Sequence, residues 1–382
     1  MKVKTNPFAF GKVVSGDQFF NRNKEIAELK RDILNHQNII LYAPRRYGKT
    51  SLVLKTFNEL RKKEKKFAGL FVDFYKVTTI EKFVSSISNE YAKNAGLSLE
   101  KIIDVLKNIF TGISPSITLD NEGNPKLEFN IQPSKRIQAF EEAMNLPAKL
   151  SSGGKTVAVF FDEFQEVVKL DGFEFQKKIR AIIQLHDKVS YIFCGSKFHL
   201  FQDIFNNKSN PLFNIGKKKY LDIIPEAEYT SYISKHFSEV KDDFSKDYAR
   251  AIYSQAGSIP YNIQILCHEI YNLALLNKSV PFEELLSIGL DNIINRSNEE
   301  YILLYDNLSK SVKLTLEIII HNNGCNLFNS ESLSEFRIAP STLKKALNKL
   351  IADGIIISEN KKYLFQDIFF KKWVEKNILD IV

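Results

Sequence analysis

The sequence predicts an α/β fold: a core with a parallel sheet, then a helical lid domain and a C-terminal winged-helix domain. Three observations support it. Almost entirely apolar segments before residue 220 alternate with amphipathic ones, as in a parallel sheet covered by helices on both faces. From about residue 225 the pattern is helical, with proline and glycine between helices. From about residue 298, helices precede a two-stranded alternating segment, which is typical of a winged helix.

The strand candidates come first in the chain. They are NIILYA (38–43), FAGLFVDFY (67–75), TVAVFFDE (156–163) and VSYIFCGS (189–196). Residues 113–133 alternate on both sides of an Asn-Glu-Gly-Asn turn, which predicts a β-hairpin inserted into the core. We therefore divide the chain into a core (1–224, with the hairpin at about 113–133), a helical lid (225–297) and a winged helix (298–382).

Composition narrows the class of protein. A chain of 382 residues is too long for one ordinary core and indicates several domains. The net charge of +8 comes from lysines spread along the chain, so a solvated surface accounts for it as well as a nucleic-acid face does. Three cysteines without CxxC spacing suit a reducing compartment. With no signal-like start and no membrane-spanning apolar run, we expect a cytoplasmic protein with no membrane partner.

Residues 43–51 carry the pattern of a phosphate-binding loop. The pattern Ala43-x-x-x-x-Gly48-Lys49-Thr50 lies between a predicted strand and a predicted helix, where this motif requires it. Gly48 lets the backbone approach phosphates, Lys49 reaches the β- and γ-phosphates, and the Thr50 hydroxyl binds Mg²⁺. Ala43 replaces the usual glycine and fits if its φ is negative. The loop residues assigned to the nucleotide are Pro44, Arg45, Arg46, Tyr47, Gly48, Lys49 and Thr50.

An apolar strand that ends in two acids completes this P-loop NTPase site. Asp162 and Glu163 follow Val-Ala-Val-Phe-Phe. Asp162 is predicted to hold Mg²⁺ with Thr50, and Glu163 to polarise the water that attacks the γ-phosphate. Ser196 ends another predicted strand and is placed to contact the γ-phosphate or the water, although an ordinary polar strand end explains it equally well. The predicted catalytic residues are Lys49, Asp162 and Glu163, with ATP or ADP and Mg²⁺ as ligands.

Several segments resemble, in order, one known family. They are FFNRNKEIAELK (19–30), PRRYGKTSL (44–52), FFDEFQEV (160–167), CGS (194–196), NPLFNIGKKKYLDI (210–223) and GSIPYNIQIL (257–266). With the hairpin and the winged helix, they resemble the archaeal-type ATPase family, in the STAND-like branch of AAA+ proteins. The resemblance implies ATP binding and hydrolysis by an α/β core with a helical lid. It also implies phosphate contacts at Gly48, Lys49, Thr50 and Ser51, and Mg²⁺ and water roles for the two acids.

The same resemblance places the segment around Arg22 near the adenine of the nucleotide. That segment normally has a glycine before the arginine and a glutamate after it. Here Asn21 and Asn23 stand in those places, which weakens the roles of these two positions. Arg22 itself remains assigned to nucleotide binding.

The chain departs from the family pattern where an arginine finger is expected. No arginine occurs from 181 to 249, and Lys217 or Lys218 would be the nearest substitutes. An arginine finger contributes about 10³- to 10⁵-fold to the rate, so its absence predicts slow turnover. Arg45 and Arg46 are either a solvent-facing pair beside carboxylates or a replacement charge that contacts a phosphate.

The segment STLKKALNKL (341–350) is the predicted recognition helix of the winged helix. Its apolar residues share one face and its lysines lie mostly elsewhere. Asn348 is its only amide, so the pattern favours contact with the DNA backbone over reading of bases. A winged helix also docks proteins, and a protein client stays open as the alternative partner. The residues assigned to DNA phosphates are Lys344, Lys345, Lys349, Lys361 and Lys362.

The sequence therefore predicts an ATP-binding protein with slow Mg²⁺-dependent ATPase activity that acts as a nucleotide-driven conformational switch. Two alternatives stay open: a docking module that binds nucleotide and hardly hydrolyses it, and a DNA loader similar to replication initiators. The missing arginine counts against the loader. The intact Lys49, Thr50, Asp162 and Glu163 count against a purely structural fold. The sequence leaves the oligomeric state undetermined.

Overall fold

The computed structural model of the chain describes residues 5–13, 19–113, 115–277, 279–359 and 362–381, without the side chains of 171–173, 198, 199 and 359. The chain forms two compact units. The first, here called the α/β unit, is Ser15–Asp222. The second, here called the helical unit, combines Ile223–Val382 with Met1–Val14. The N-terminal residues therefore group with the second unit, although the first unit follows them in sequence.

The α/β unit contains a parallel sheet and a hairpin. Its strands are β1 (Ile39–Tyr42), β2 (Phe67–Asp73), β3 (Pro115–Leu119), β4 (Pro125–Phe129), β5 (Thr156–Asp162), β6 (Val189–Gly195) and β7 (Lys217–Tyr220). Its α-helices are α1 (Asn23–Leu34), α2 (Lys49–Lys63), α3 (Ile80–Ala95), α4 (Leu99–Ile109), α5 (Arg136–Met144), α6 (Leu146–Ser152), α7 (Val168–Ile183) and α8 (Phe198–Asn206). The sheet order is β2-β5-β6-β1-β7, and each neighbouring pair is parallel. The predicted parallel α/β core is confirmed.

The central strands are buried on both faces, as their unbroken apolar sequences predict. In β1, Ile39 and Leu41 pack into one apolar cluster, and Ile40 and Tyr42 pack into another. Successive side chains of a strand point to opposite faces, so the two clusters are the two cores of the sheet. Residues of α1 and α2 belong to the first cluster, and residues of α3 and α5 to the second.

Strand β7 is the part of the sheet that the sequence did not predict. Its residues are Lys-Lys-Lys-Tyr, and it lies at the edge of the sheet, where it pairs with β1. Asp32 of α1 neutralises two of the lysines, with Nζ–carboxylate distances of 3.1 Å for Lys217 and 3.0 Å for Lys219. An edge strand needs no second apolar face, and lysines there discourage pairing with another chain.

The predicted hairpin is confirmed as β3 and β4, which pair antiparallel. Asp120 closes the turn, because its Oδ1 accepts hydrogen bonds from the backbone N–H groups of Glu122 (2.9 Å) and Asn124 (2.8 Å). Asn89 of α3 attaches the hairpin to the rest of the unit. Its side-chain amide donates to the backbone oxygen of Leu127 (2.8 Å) and accepts from the backbone N–H of the same residue (2.9 Å).

The helical unit follows the predicted order of helices and then a two-stranded wing. Its elements are α9 (Glu226–Phe237), α10 (Lys246–Gln255), α11 (Pro260–Leu276), α12 (Phe282–Arg296), α13 (Asn298–Asp306), α14 (Lys310–His321), α15 (Ser330–Glu335), α16 (Pro340–Ala352), β8 (Ile356–Glu359), β9 (Lys362–Phe365) and α17 (Ile368–Asn377). Strands β8 and β9 pair antiparallel. Across the described part of the chain, every helix is too short or too polar to traverse a bilayer.

The N-terminal segment packs on the helices of this unit. Phe8, with 1% of its surface exposed, lies among the rings of Tyr232, Phe237 and Tyr271, whose centroids are 5.4–5.8 Å away. Nδ1 of His268 donates a hydrogen bond of 2.7 Å to the backbone oxygen of Phe8. A buried phenylalanine contributes strongly to a core, so this segment is an integral part of the helical unit.

Candidate active site

The site residues predicted in the α/β unit lie at the carboxyl ends of neighbouring strands. The phosphate loop follows β1, Asp162 ends β5, and Ser196 follows β6. Strand β6 lies between β1 and β5, so Ser196 leaves the sheet between the loop and the acids. Open parallel sheets bind ligands at this edge. The loop residues between β1 and the first turn of α2 are Pro44, Arg45, Arg46, Tyr47, Gly48, Lys49, Thr50 and Ser51.

Lys49 is the first residue of α2 and is buried, with 6% of its surface exposed. Its Nζ donates hydrogen bonds to the backbone oxygens of Ala43 (3.0 Å) and Pro44 (2.9 Å). Burial lowers the pKa of Lys49, and the nearby carboxylates of Glu163 and Asp162 oppose that shift. The ammonium group is thus held inside the loop, next to the two acids, where a phosphate would meet it.

Two residues of the loop have left-handed backbone conformations. Gly48 has φ of 84° and Arg46 has φ of 69°. Ala43 is not among the residues with positive φ, so an alanine fits this position in place of the usual glycine. A left-handed conformation disfavours an arginine by about 1–2 kcal/mol, and such strain is concentrated at functional sites. Arg45 and Arg46 are both exposed.

Thr50 and Asp162 form a direct hydrogen bond across the site. The Thr50 hydroxyl donates to Asp162 Oδ2 over 2.6 Å. Burial raises the pKa of Asp162, and the bond from Thr50 opposes the rise. A hydroxyl and a carboxylate are oxygen donors of the kind that Mg²⁺ prefers, and Mg²⁺ typically takes one or two carboxylates together with substrate phosphates. The pair therefore fits a Mg²⁺ ion. The described residues contain no cluster of three or more His, Cys, Asp or Glu side chains suited to a metal.

Glu163 follows Asp162 and is held by several donors. Its Oε2 accepts hydrogen bonds from the Ser196 hydroxyl (2.6 Å), the Ser196 backbone N–H (3.3 Å) and the Gln165 side-chain amide (2.6 Å). The structure thus brings Ser196 to Glu163, rather than leaving it as an isolated strand end. The sequence indicated no role for Gln165 beyond its place in the segment FFDEFQEV (160–167).

Arg22 is buried and lies at the start of α1, with φ of 68°. Its Nη1 donates to Glu25 over 2.8 Å, while its buried Nη2 has no hydrogen-bond partner among the described residues. Asn21 has φ of 61°, and its side-chain oxygen accepts from the Arg22 backbone N–H over 2.6 Å. Asparagine tolerates this conformation better than most residues, which explains how it replaces the usual glycine.

The lysines considered as substitutes for the missing arginine differ in their surroundings. Lys217 is engaged by Asp32, whereas the Nζ of Lys218 lies 5.9 Å from the centroid of the Phe213 ring. Burial alone would raise the pKa of Asp32, but hydrogen bonds from Lys219 and Lys217 bring it below its ordinary value. Lys217 is therefore committed to a contact within its own unit.

The sequence did not indicate a role for Arg180. It lies on α7 and its Nη1 donates to the backbone oxygens of Pro211 and, over 2.9 Å, of Phe213. These bonds hold the segment that leads into β7. An arginine that binds backbone oxygens far along the chain leaves no local pattern by which to find it.

The described lysines among those assigned to DNA lie in helix α16 and strand β9. Helix α16 buries Leu343, Ala346, Leu347 and Leu350, and its lysines Lys344, Lys345 and Lys349 are exposed. Lys349 Nζ is 2.9 Å from the carboxylate of Asp353, so part of its charge is neutralised. On the wing, Lys362 begins β9 and is half-buried, and Lys361 lies outside the described residues.

Comparison with sequence profiles of known families gives two matches. Residues 19–266 match the profile described as "ATPase domain predominantly from Archaea". Residues 299–376 match the profile described as "Probable winged helix domain". The first match covers more than half of the chain. None of the curated proteins compared with the sequence matches it.

Comparison with solved structures supports the same fold. The Walker-type ATPase PABY2304 of Pyrococcus abyssi is similar, with a TM-score of 0.62, 17% identity and coverage of 94% of this chain and 97% of that one. The Aeropyrum pernix ORC2 protein in its ADP form has a TM-score of 0.52, 12% identity and coverage of 96% of both chains. The Aeropyrum pernix ORC1 protein in complex with DNA has a TM-score of 0.50, 13% identity and coverage of 95% of both.

Proposed function

Because the chain belongs to the family of ATPase domains predominantly from Archaea, we propose that it binds ATP with Mg²⁺, hydrolyses it slowly and uses the nucleotide to switch conformation. One observation carries the proposal. Lys49, the Thr50–Asp162 pair and Glu163 converge at one edge of the sheet. We keep the division into core, helical lid and winged helix as part of this proposal, with the N-terminal residues assigned to the helical unit.

Each residue has a distinct task in this proposal. The Lys49 ammonium binds the β- and γ-phosphate oxygens, and the backbone N–H groups at the start of α2 add a favourable field for anions. Thr50 and Asp162 would hold Mg²⁺, whose charge neutralises phosphate oxygens. The carboxylate of Glu163 accepts a proton from the attacking water. Ser196, bonded to Glu163, links the strand β6 to the water site.

We expect slow turnover because the chain lacks an arginine where the arginine finger is expected. No arginine occurs from 181 to 249, and Lys217 is paired with Asp32. Lysine lacks the planar fork of arginine, so Lys218 would be a weaker substitute. Arg45 and Arg46 are the two arginines of the phosphate loop, and we assign them to the nucleotide within this proposal.

The test of hydrolysis compares single variants of the full chain. Glu163→Gln keeps ATP affinity and lowers phosphate release about 10²- to 10⁴-fold, the usual contribution of a general base. Lys49→Ala abolishes ATP binding. Glu174→Gln, the same chemical change at an exposed glutamate on α7, serves as the control and keeps the wild-type rate. Equal phosphate release by wild type and Glu163→Gln would remove the hydrolytic assignment and leave a nucleotide-dependent docking module.

A second candidate contact is with duplex DNA. The exposed side of α16 carries Lys344 and Lys345, and no described residue forms a salt bridge with either. One structural neighbour is described in complex with DNA. Lysines of this kind bind phosphates and make affinity depend on salt. We propose that α16 contacts the DNA backbone, with Lys349 and Lys362 as weaker contributors.

This proposal is tested by titrating labelled duplex at several salt concentrations. The double variant Lys344→Gln/Lys345→Gln lowers the slope of log affinity against log salt by about one for each phosphate contact removed. Lys376→Gln, on α17, is the control, since that lysine is paired with Asp291. Absence of binding at low salt would remove the DNA contact and favour a protein client.

A further inference from the structure

We infer that Gln165 is a positioning residue for Glu163, an inference that rests on the proposed ATPase function. Gln165 lies two residues after Glu163, in the short 3₁₀-helix Phe164–Val167. Only 3% of its surface is exposed. Its side chain therefore acts within the interior of the α/β unit.

The hydrogen bonds around Glu163 distinguish its two carboxylate oxygens. Gln165 Nε2 and Ser196 Oγ each donate to Oε2 over 2.6 Å. The described residues provide no hydrogen-bond donor to Oε1. Two side chains that approach one oxygen from different elements prevent rotation of the carboxylate, so Oε1 is the oxygen left to accept a proton from water.

The orientation of the Gln165 amide follows from its neighbour. A reversed amide would place the carbonyl oxygen against the Glu163 carboxylate, which is repulsive, so Nε2 faces Glu163. This leaves Oε1 of Gln165 buried without a donor in the described part of the chain. A buried acceptor without a partner is unfavourable, and a leucine would avoid it. The glutamine is therefore less favourable for stability than an apolar residue would be at this buried position, but it supplies the hydrogen bond to Glu163.

Strand β6 leaves room for this amide at its last residue. A Cβ atom on Gly195 would lie 2.4 Å from Oε1 of Gln165 and 2.5 Å from the ring of Phe201. Gly195 is not among the glycines with positive φ, so space, and not backbone conformation, is what the glycine provides. Gly195 directly precedes Ser196, so the same end of β6 supplies the Ser196 donors to Glu163 and accommodates the Gln165 amide.

The inference is tested with Gln165→Leu in the full chain. The leucine fills a similar volume and removes the donor to Glu163. We expect kcat for ATP to fall about 10- to 100-fold, as for other groups that orient a reacting residue, with KM and ATP affinity within twofold of wild type.

Gln176→Leu is the matched control. Gln176 lies on α7, is also buried, and likewise has a buried Oε1 without a partner among the described residues. No hydrogen bond of the described residues joins it to Glu163. A merely structural effect of removing a buried amide would appear in both variants, whereas the inference predicts wild-type kcat and KM for Gln176→Leu.

Gln165→Asn is the second variant, in case the leucine variant folds poorly. It keeps the amide but is one methylene too short for the bond, so the same loss of kcat is expected. Wild-type kcat in a folded Gln165 variant, while Glu163→Gln is inactive, overturns this inference and leaves the ATPase proposal standing. Phosphate release by the wild type that does not depend on Glu163 overturns both.

Discussion

Replacement of Lys49 by methionine separates the function of this lysine from its effect on stability. The ammonium makes two charge-assisted bonds to Ala43 and Pro44, each worth about 1.5–3 kcal/mol. Burial of the charge costs several kcal/mol, and burial is also what lowers the pKa of Lys49. Methionine has a similar length and no charge. The free energy of unfolding therefore falls by less than about 2 kcal/mol or rises.

The effect of Lys49→Met on ATP binding is expected to be far larger. Two charge-assisted bonds to phosphate oxygens, at about 1.5–3 kcal/mol each, correspond to a loss of affinity of about 10²- to 10⁴-fold. The affinity is measured with a fluorescent ATP analogue and Mg²⁺, and unfolding is followed in urea by circular dichroism. Lys62→Met, at an exposed position of the same helix, is the control and changes neither quantity appreciably.

Two results would refute this reasoning. ATP affinity of Lys49→Met within threefold of wild type would show that Lys49 is not a phosphate ligand. A loss of more than about 3 kcal/mol in the free energy of unfolding would show that the two carbonyl bonds outweigh the cost of burying the charge. The first result concerns function and the second concerns only the balance of forces in the loop.

Two further predictions concern stability. Phe8→Ala destabilises the helical unit by about 3–5 kcal/mol. Unfolding is measured in urea through the fluorescence of Trp373, the single tryptophan of the chain, which is buried in that unit. An unchanged urea midpoint would contradict the packing of Phe8. Burial lowers the pKa of His186, whose ring nitrogens lie 2.7 Å from the Tyr191 hydroxyl and 3.0 Å from Asn145 Oδ1. The unfolded chain therefore binds a proton at His186 more readily than the folded chain, and the free energy of unfolding falls as pH drops below about 6.5. The variant His186→Gln weakens this pH dependence between about pH 7.5 and 5.5. An identical pH dependence in both proteins would argue against the role of His186.

The sequence predicted the parts of the fold that local pattern determines. Strands β1, β2, β5 and β6 were found because a strand buried on both faces needs an unbroken apolar run. The helix predicted after the phosphate loop is α2, and it begins at Lys49 because the loop marks its start. Lys49, Thr50 and Asp162 meet in the structure because the loop and the strand end each place them at the same edge of the sheet.

The remaining features depend on residues far apart in the chain. Strand β7 can be polar because Asp32, 185 residues before Lys217, neutralises two of its three lysines. The packing of Phe8 depends on an aromatic cluster more than 220 residues away. The relation of Gln165 to Glu163 depends on the direction of one amide group, which no periodicity encodes. Long-range contacts of this kind become visible only in three dimensions.

The position of Phe8 has a consequence for the order of folding during synthesis. The hydrogen bond between Asn6 and the backbone of His268 spans 262 residues. At a synthesis rate of about 5–20 residues per second, the N-terminal segment waits for on the order of tens of seconds until its partner helix exists. The whole α/β unit emerges during that interval. An apolar phenylalanine is therefore exposed in the nascent chain while another unit folds, and the core of the helical unit includes residues that were made before that other unit.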